Sequence, residues 1–187
     1  MSRKKGRVIV ISAPSGGGKG TVIKRILELY PELCYSVSAT TRQPRFGEEN
    51  GKSYHFKTRD DFIDMIGKGE LFEYTEYVGE FYGTPKKYIQ DCINDGKDVL
   101  LEIEVKGAKQ VMEKIPDAIT VFITPPSMEI LESRLRGRGT DSEEKLIKRL
   151  NKAREELIEK IHYTHVVIND EVDRAAKEIL SYLEGQV

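Results

Sequence analysis

The sequence predicts an α/β fold in which a parallel sheet is flanked by helices. Four aliphatic residues, Val8 to Ile11, run directly into the glycine-rich segment 12–21, and an amphipathic segment follows. Further aliphatic runs at 99–103 and 119–123 are separated by helical patterns. Strands that alternate with helices in this way are typical of parallel sheets. A length of 187 residues suits one compact unit with a small insert.

The segment 12–21 predicts a phosphate-binding loop between a buried strand and a helix. Its glycines let successive N–H groups and the positive end of the next helix face one anion, and Lys19 adds a full charge. The common motif begins with Gly and places Ser or Thr directly after the Lys, whereas this chain has Ala13, and Gly20 before Thr21. Gly20 argues against direct ligation of a metal by a hydroxyl. A flexible glycine linker, the alternative, would lack the flanking strand and helix. The expected phosphate contacts are Ala13, Pro14, Ser15, Gly16, Gly17, Gly18, Lys19, Gly20 and Thr21.

Composition limits the classes of partner and compartment. Lys and Arg number 30 and Asp and Glu 31, so no global basic field indicates nucleic acid. Two cysteines without metal-like spacing suit a reducing compartment. The aliphatic run near the N-terminus has four residues, too short for a signal peptide or a membrane span. We therefore expect a soluble cytoplasmic protein without a membrane or nucleic acid partner.

The segment after the first helix predicts a small β-rich insert. Alternation at 35–38 and aromatic side chains at 54 and 56 predict short strands, with Asn50-Gly51 as a hairpin turn. A short helix is marked by Phe62, Ile63 and Ile66.

Two strand-like runs follow, at 71–78 and 80–82 on either side of Gly79, before the chain returns to helix. Thr84-Pro85 is predicted to open that helix, with Thr84 as the cap and Pro85 in the first turn.

The C-terminal half predicts three helices and one more strand. Pro125-Pro126 precedes a helix that ends in the basic turn 134–140, and Asp141 with Glu144 resembles a capping box for a long helix. A last strand at 166–168 leads to a closing helix. The predicted apolar face of the long helix consists of Leu146, Ile147, Leu150, Ala153, Leu157, Ile158 and Ile161.

Taken together, these segments resemble the guanylate kinases over residues 6–184. The resemblance is carried by Ser-Val-Ser-Ala-Thr-Thr-Arg-Gln-Pro-Arg-Phe-Gly-Glu at 36–48, Phe-Tyr-Gly-Thr at 81–84, Arg-Gly-Arg-Gly-Thr at 136–140 and Ile-Asn-Asp at 168–170, with Tyr54 and Glu73. It implies a P-loop kinase fold with a five-stranded parallel core sheet flanked by helices. It also implies an ATP:GMP phosphotransferase of purine nucleotide metabolism that gives ADP and GDP, with dGMP as a further candidate substrate. The implied division is a core at 6–35, 88–127 and 151–184, a GMP-binding insert at 36–87 and a helical lid at 128–150.

The resemblance places a GMP site on the insert. Two arginines can form bidentate bonds with the GMP phosphate, and two tyrosines can donate to it. Glu73 can accept from both N1–H and the 2-amino group of guanine, donors that adenine lacks, while Ser38 and Thr84 can serve O6 and N7. The implied GMP-binding residues are Ser38, Arg42, Arg45, Glu48, Tyr54, Glu73, Tyr82, Thr84, Glu102 and Glu104.

Glu102 and Glu104 alternate along the strand after the insert, so both are expected on the same side at its end. Relatives place acidic residues here, against the ribose, the arginines or the magnesium shell, and the second is more often Asp than Glu104. The resemblance thus implies Mg²⁺ held through phosphates and water, with Glu104 as the candidate protein contact.

The implied ATP site adds basic residues from the lid. Arg134, Arg138 and Arg149 match arginines that reach the ATP phosphates, and with Lys19 and Arg45 they form the predicted catalytic set. Asn169 and Asp170 match the loop beside the adenine.

Two alternatives remain open at this point. Guanylate-kinase-like domains of scaffold proteins bind peptides and do not turn over nucleotide, and another phosphotransferase on this fold could act on a different monophosphate or a ribosyl phosphate. The first class typically loses the ATP machinery, which is present here, and the second would lack the guanine set of Ser38, Glu73 and Thr84.

Overall fold

The computed structural model describes residues 5–77, 79–137 and 142–184. Its elements in chain order are β1 (Val8–Ser12), α1 (Lys19–Leu29), β2 (Cys34–Ser36), β3 (Ala39–Thr40), β4 (His55–Phe56), α2 (Arg59–Gly67), β5 (Leu71–Tyr77), β6 (Glu80–Pro85), α3 (Lys86–Asn94), β7 (Val99–Glu102), α4 (Val105–Lys114), β8 (Ile119–Thr124), α5 (Met128–Arg136), α6 (Glu143–Ile158), a 3₁₀ turn (Glu159–His162), β9 (His165–Ile168) and α7 (Val172–Glu184).

The long apolar runs form a five-stranded sheet in the order β2-β7-β1-β8-β9. Strands β2 and β7 pair in parallel, as do β8 and β9. Every residue of β1 and β8 is buried, as continuous apolar runs in a parallel sheet covered on both faces should be. The predicted α/β fold with a five-stranded parallel sheet and flanking helices is confirmed.

The chain divides into two compact units by the density of its internal contacts. The first comprises the described parts of Met1–Val10 and Glu32–Ala118, and the second those of Ile11–Pro31 and Ile119–Val187. The boundaries of the core, insert and lid given above stay a prediction.

The first unit contains a four-stranded sheet in the order β4-β3-β6-β5. Phe62 of α2 is fully buried with Ala39 and Leu71, and it stacks on Phe81 with ring centroids 5.3 Å apart. The predicted hairpin at Asn50-Gly51 is wrong, because β3 and β4 pair in parallel. The turn itself exists: Gly51 has φ 81° and donates its N–H to the carbonyl of Tyr54 at 2.8 Å.

The start of α3 differs from the prediction by one residue. Strand β6 continues through Pro85, which occupies the N-cap position of α3. Thr84 does not cap the helix because its hydroxyl donates to Glu73 on the neighbouring strand at 2.6 Å.

The second unit packs α5 against α6 and α1 against α7. Leu131 and Leu135 of α5 contact the buried face of α6, which consists of Leu146, Leu150 and Ala153. Three other members of the predicted apolar face are exposed: Ile147, Ile158 and Ile161.

The start and the buried face of α6 also correct the sequence interpretation. The N-cap residue is Ser142, whose hydroxyl accepts from the N–H of Lys145, and Asp141 lies outside the described residues. Glu156 takes a place on the buried face that the apolar pattern had not assigned to it. None of the helices within the described ranges is long and apolar enough to cross a membrane.

Candidate functional site

The loop between β1 and α1 has the backbone geometry that a phosphate loop needs. Gly16 and Gly18 have φ of 87° and 84°, a region that favours glycine, and Gly17 donates its N–H to the carbonyl of Pro14 at 2.8 Å. A Cβ on Gly18 would lie 2.4 Å from Nδ2 of Asn169. Lys19 is the first residue of α1, so the predicted order of strand, glycine turn and helix is observed.

Two residues of α6 hold Ser15 of this loop. Glu156, which is 7% exposed, accepts the backbone N–H of Ser15 at 3.0 Å. Arg149 donates to the Ser15 hydroxyl through Nε at 3.2 Å and Nη2 at 3.1 Å. Lys152 lies 3.4 Å from the other carboxylate oxygen of Glu156 and partly balances its charge. The long helix therefore fixes the conformation of the loop through both the main chain and the side chain of Ser15.

Asn169 holds the loop from the end of β9. Its Nδ2 donates to the Gly17 carbonyl at 2.9 Å, and its own carbonyl accepts from Arg134 at 2.8 Å. The Oδ1 atom of Asn169 is buried and has no hydrogen-bond partner among the residues that the structure describes, so it is left as an acceptor. Asp170 instead accepts from Arg174 and from the N–H of Glu171, at the start of α7, and the bond from Arg174 lowers the pKa of the Asp170 carboxyl.

The second unit thus brings most of the predicted ATP-binding residues together. Arg134 and Arg149 both reach the loop, at the Gly17 carbonyl and the Ser15 hydroxyl, although they come from different helices. Gly20 and Thr21 are exposed in the first turn of α1. Arg138 lies outside the described residues.

In the first unit, Glu73 and Thr84 form a buried pair on adjacent strands. The register of β5 and β6 places them directly opposite each other. Glu73 is 3% exposed, and its Oε1 accepts the Thr84 hydroxyl proton at 2.6 Å. A carboxylate can only accept hydrogen bonds, so the Thr84 hydroxyl donates its one proton to Glu73. Toward a ligand, this hydroxyl can therefore act only as an acceptor. The hydroxyl of Ser38, which is partly buried, is not in this pair.

Glu48 organises the two arginines that were predicted to bind the acceptor phosphate. Arg42 donates to both carboxylate oxygens of Glu48, at 2.9 and 3.0 Å, and Arg45 donates its backbone N–H to the same group at 2.7 Å. The hydrogen bonds between them raise the pKa of Arg42 and lower that of Glu48. The Arg45 guanidinium is exposed and makes no hydrogen bond within the described ranges. Glu48 therefore holds Arg42 and the backbone of Arg45 in place, and its predicted contact with GMP stays a prediction.

Aromatic side chains surround Arg42. Its guanidinium carbon lies 5.3 Å from the centroid of Tyr54, and Tyr54 meets Tyr82 edge to face at 6.1 Å. Burial, and after it the negative charge of Glu102, raises the pKa of the Tyr54 phenol. The phenol is therefore protonated at neutral pH and can donate a hydrogen bond to an anion.

The two carboxylates after the insert do not share a strand, which corrects the prediction. Strand β7 ends at Glu102, and Glu104 is the N-cap residue of α4 with φ −71° and ψ 158°. The Tyr35 hydroxyl donates to Glu102 at 2.8 Å, and Glu104 is exposed. The strand ends before Glu104 and the helix begins directly after it, so the two carboxylates lie on different elements.

Sequence reasoning missed two residues that hold predicted site residues in place: Tyr35 and Glu156. Glu156 carried a signal, because it is a charged residue three positions after Ala153 on the buried face of α6. Tyr35 carried none, since its role depends on Glu102, a partner distant in sequence.

Comparison with known proteins finds that the chain is similar to guanylate kinases. The family model for guanylate kinase matches residues 5–186. A guanylate kinase of Lactococcus lactis subsp. lactis is 51% identical over 184 residues, which cover 98% of this chain and 90% of that protein. A guanylate kinase of Synechococcus sp. is 48% identical over 181 residues, which cover 97% of each. The crystal structure of guanylate kinase from Anaplasma phagocytophilum superposes with a TM-score of 0.81 at 34% identity, over 98% of this chain and 87% of that one.

Proposed function

This chain belongs to the guanylate kinase family, and we propose that two sets of residues, one in each compact unit, carry out its reaction. That reaction is the ATP-dependent phosphorylation of GMP to GDP. The second unit supplies the residues for ATP, and the first supplies those for GMP.

The chemistry demands charge and position more than proton transfer. The attacking oxygen belongs to an ionised phosphate, so no general base is needed. Two polyanions must react in line, and catalysis consists of aligning them and neutralising charge on the moving phosphoryl group. Lys19, Arg134, Arg138 and Arg149 are assigned to the ATP phosphates and Arg45 to the acceptor phosphate. The contacts of Arg134 and Arg149 with the loop support the first assignment.

The ATP side rests on a preformed loop. The segment Ala13 to Thr21 presents backbone N–H groups and the N-terminus of α1 to the phosphates. Asn169 is assigned to the adenine, because its buried Oδ1 is an unused acceptor among the described residues and the adenine 6-amino group is a donor. Asp170 is assigned to the same loop, beside the base.

The GMP side rests on one observation, the buried carboxylate of Glu73 held by Thr84. Leaving a buried carboxylate without hydrogen-bond donors costs free energy. A base with two adjacent donors, as guanine has in N1–H and the 2-amino group, is therefore favoured over adenine. Polar pockets of this kind reject ligands that lack the matching donors by factors on the order of 10⁴. Ser38 is assigned to the guanine edge, Tyr54 and Tyr82 to the phosphate with Arg42, and Glu102 to the ribose, where dGMP would test its contribution.

Magnesium is proposed to accompany ATP. The residues fit an ion held mostly by nucleotide oxygens and water, because Gly20 stands where the common motif has a hydroxyl. The exposed carboxylate of Glu104 is the proposed contact to the water shell. When bound, the ion would neutralise charge on the β- and γ-phosphates.

The proposed partners are small molecules, and the proposed compartment is the cytoplasm. Cys34 and Cys92 are both free thiols, which suits a reducing environment. The formal net charge of −1 gives no electrostatic reason to add a nucleic acid partner.

The Glu73→Ala variant tests the assignment of Glu73. Its kcat/KM for GMP should fall by about 10²-fold or more while the KM for ATP changes little, since only guanine loses its partner. The preference for GMP over inosine monophosphate, which keeps N1–H and lacks the 2-amino group, should shrink in the same variant. Equal losses for ATP and GMP would remove this account of guanine recognition.

A further inference from the structure

Gly107 lies closer to the Glu73 carboxylate than a side chain would allow. It belongs to the first turn of α4, and a Cβ built on it would lie 2.2 Å from Oε2 and 2.9 Å from Cδ of Glu73. Carbon and oxygen atoms without a bond between them do not approach so closely. Gly107 is therefore the residue that leaves room for the carboxylate on this side.

Helix α4 has little freedom to retreat from such a contact. Gln110 and Lys114, three and seven positions after Gly107, lie on the same face of the helix. Gln110 donates to the Tyr74 carbonyl at 2.7 Å, and Lys114 donates to the Phe72 carbonyl. Both carbonyls flank Glu73 on β5, so the helix is attached to the strand at the very place where a side chain would collide.

The carboxylate is also held through its other oxygen. Thr84 holds Oε1 at 2.6 Å, which leaves Oε2 as the oxygen beside Gly107. A side chain at position 107 would have to displace the carboxylate itself.

From this geometry we infer that Gly107 is a specificity-determining positioning residue, whose missing side chain sets where Glu73 presents its oxygens to guanine. The inference rests on the proposed function of Glu73. Displacing a recognition group by about 1 Å is enough to cost on the order of 10²-fold in catalytic efficiency. Gly107 thereby controls which base is accepted without touching it.

The test compares Gly107→Ala with Gly67→Ala. Gly67 also lies in a helix of the first unit, and a Cβ there would meet nothing within 4 Å. We expect Gly107→Ala to lower kcat/KM for GMP by about 10- to 100-fold and to narrow the preference for GMP over inosine monophosphate, while the protein stays folded and its ATP dissociation constant stays close to wild type. Gly67→Ala should match wild type in every measurement.

A double-mutant cycle with Glu73→Asp isolates the contact. The shorter side chain withdraws its oxygens from position 107. Adding Gly107→Ala to Glu73→Asp should therefore lower kcat/KM for GMP by about twofold or less, whereas the same substitution in the wild-type background lowers it by about tenfold or more. Equal costs in both backgrounds would overturn the inference.

The remaining outcomes separate this inference from the assignment on which it depends. If Gly107→Ala leaves GMP kinetics unchanged while Glu73→Ala impairs them, the role of Gly107 is refuted and that of Glu73 stands. If both variants leave GMP kinetics unchanged, the guanine assignment itself fails. Loss of ATP binding or of the folded state in Gly107→Ala would show a general structural role and would also overturn the inference.

Discussion

Replacing Glu156 by Gln tests whether the phosphate loop is held in shape by α6. The carboxylate accepts the Ser15 N–H at 3.0 Å, and it is 7% exposed, so water does not readily replace it. Glutamine keeps the shape and one acceptor oxygen but removes the charge. The loop should then be less ordered before ATP binds, and binding must supply the ordering cost.

The size of the effect follows from the kind of hydrogen bond. A bond to a charged acceptor contributes about 1.5–3 kcal/mol and a neutral one about 1 kcal/mol, so Glu156→Gln should cost about 1 kcal/mol. That difference corresponds to about fivefold weaker ATP binding. Removing the negative charge of Glu156 would by itself strengthen the binding of a polyphosphate. This gain is small because Lys152, whose Nζ lies 3.4 Å from Oε1 of Glu156, already offsets part of that charge. Glu156→Ala, which loses the bond entirely, should weaken ATP binding by about 10- to 100-fold.

The assay is calorimetric titration of each variant with ATP, together with steady-state kinetics for both substrates. The KM for GMP should stay close to wild type. Glu155→Gln is the matched control, since Glu155 is the exposed neighbour on the same helix. If Glu156→Gln binds ATP as tightly as Glu155→Gln does, the hydrogen bond to Ser15 does not organise the loop.

Three further predictions address other parts of the site. Lys19→Ala should lower kcat by about 10³-fold or more, as expected when a cation at the transferring phosphoryl is lost, with the unfolding free energy unchanged; a near-normal rate would exclude the phosphate-loop assignment. The pKa of Glu48 is lowered, so its ion pair with Arg42 stabilises the fold above the usual carboxyl range, and this contribution is lost as pH falls through the lowered pKa. The unfolding free energies of wild type and Glu48→Gln in urea should therefore converge as the pH is lowered below that range; a constant difference would refute the pair's contribution. Asn169→Ala should destabilise the fold by about 1–2 kcal/mol and weaken ATP binding, because the Gly17 carbonyl loses its donor; unchanged ATP affinity would limit Asn169 to a structural role.

The parts of the fold that the sequence predicted well depend on local patterns. The strand, glycine turn and helix from Val8 to Leu29 follow from contiguous residues, since β-branched runs, positive-φ glycines and helical periodicity act over short distances. The alternation of strands and helices then selects a parallel sheet.

The parts that it predicted poorly depend on contacts between distant residues. Thr84 is a good cap by local rules, but its hydroxyl donates to Glu73 on the neighbouring strand. Ile158 fits the apolar pattern of α6 yet is exposed, whereas Glu156 is buried because Ser15 offers its N–H. Periodicity identifies a face, and the partner decides which of its residues are covered.

The candidate site shows the same division. The residues that would contact nucleotides were predicted from motifs, whereas those that position them were found only in the structure. Gly107 is an unremarkable helical glycine in sequence, and its proximity to Glu73 appears only when α4 lies along β5. Supporting residues act through geometry, which a single sequence does not record.

The most direct measurement of the central claim is ADP production from Mg-ATP with GMP, AMP, CMP and UMP each offered alone. We expect strong turnover with GMP and turnover lower by a factor on the order of 10⁴ with AMP, because adenine lacks the donors for Glu73. Comparable turnover with AMP or a pyrimidine nucleotide would contradict the proposed role of Glu73, and silence with all four acceptors in folded protein would contradict the phosphotransfer activity itself.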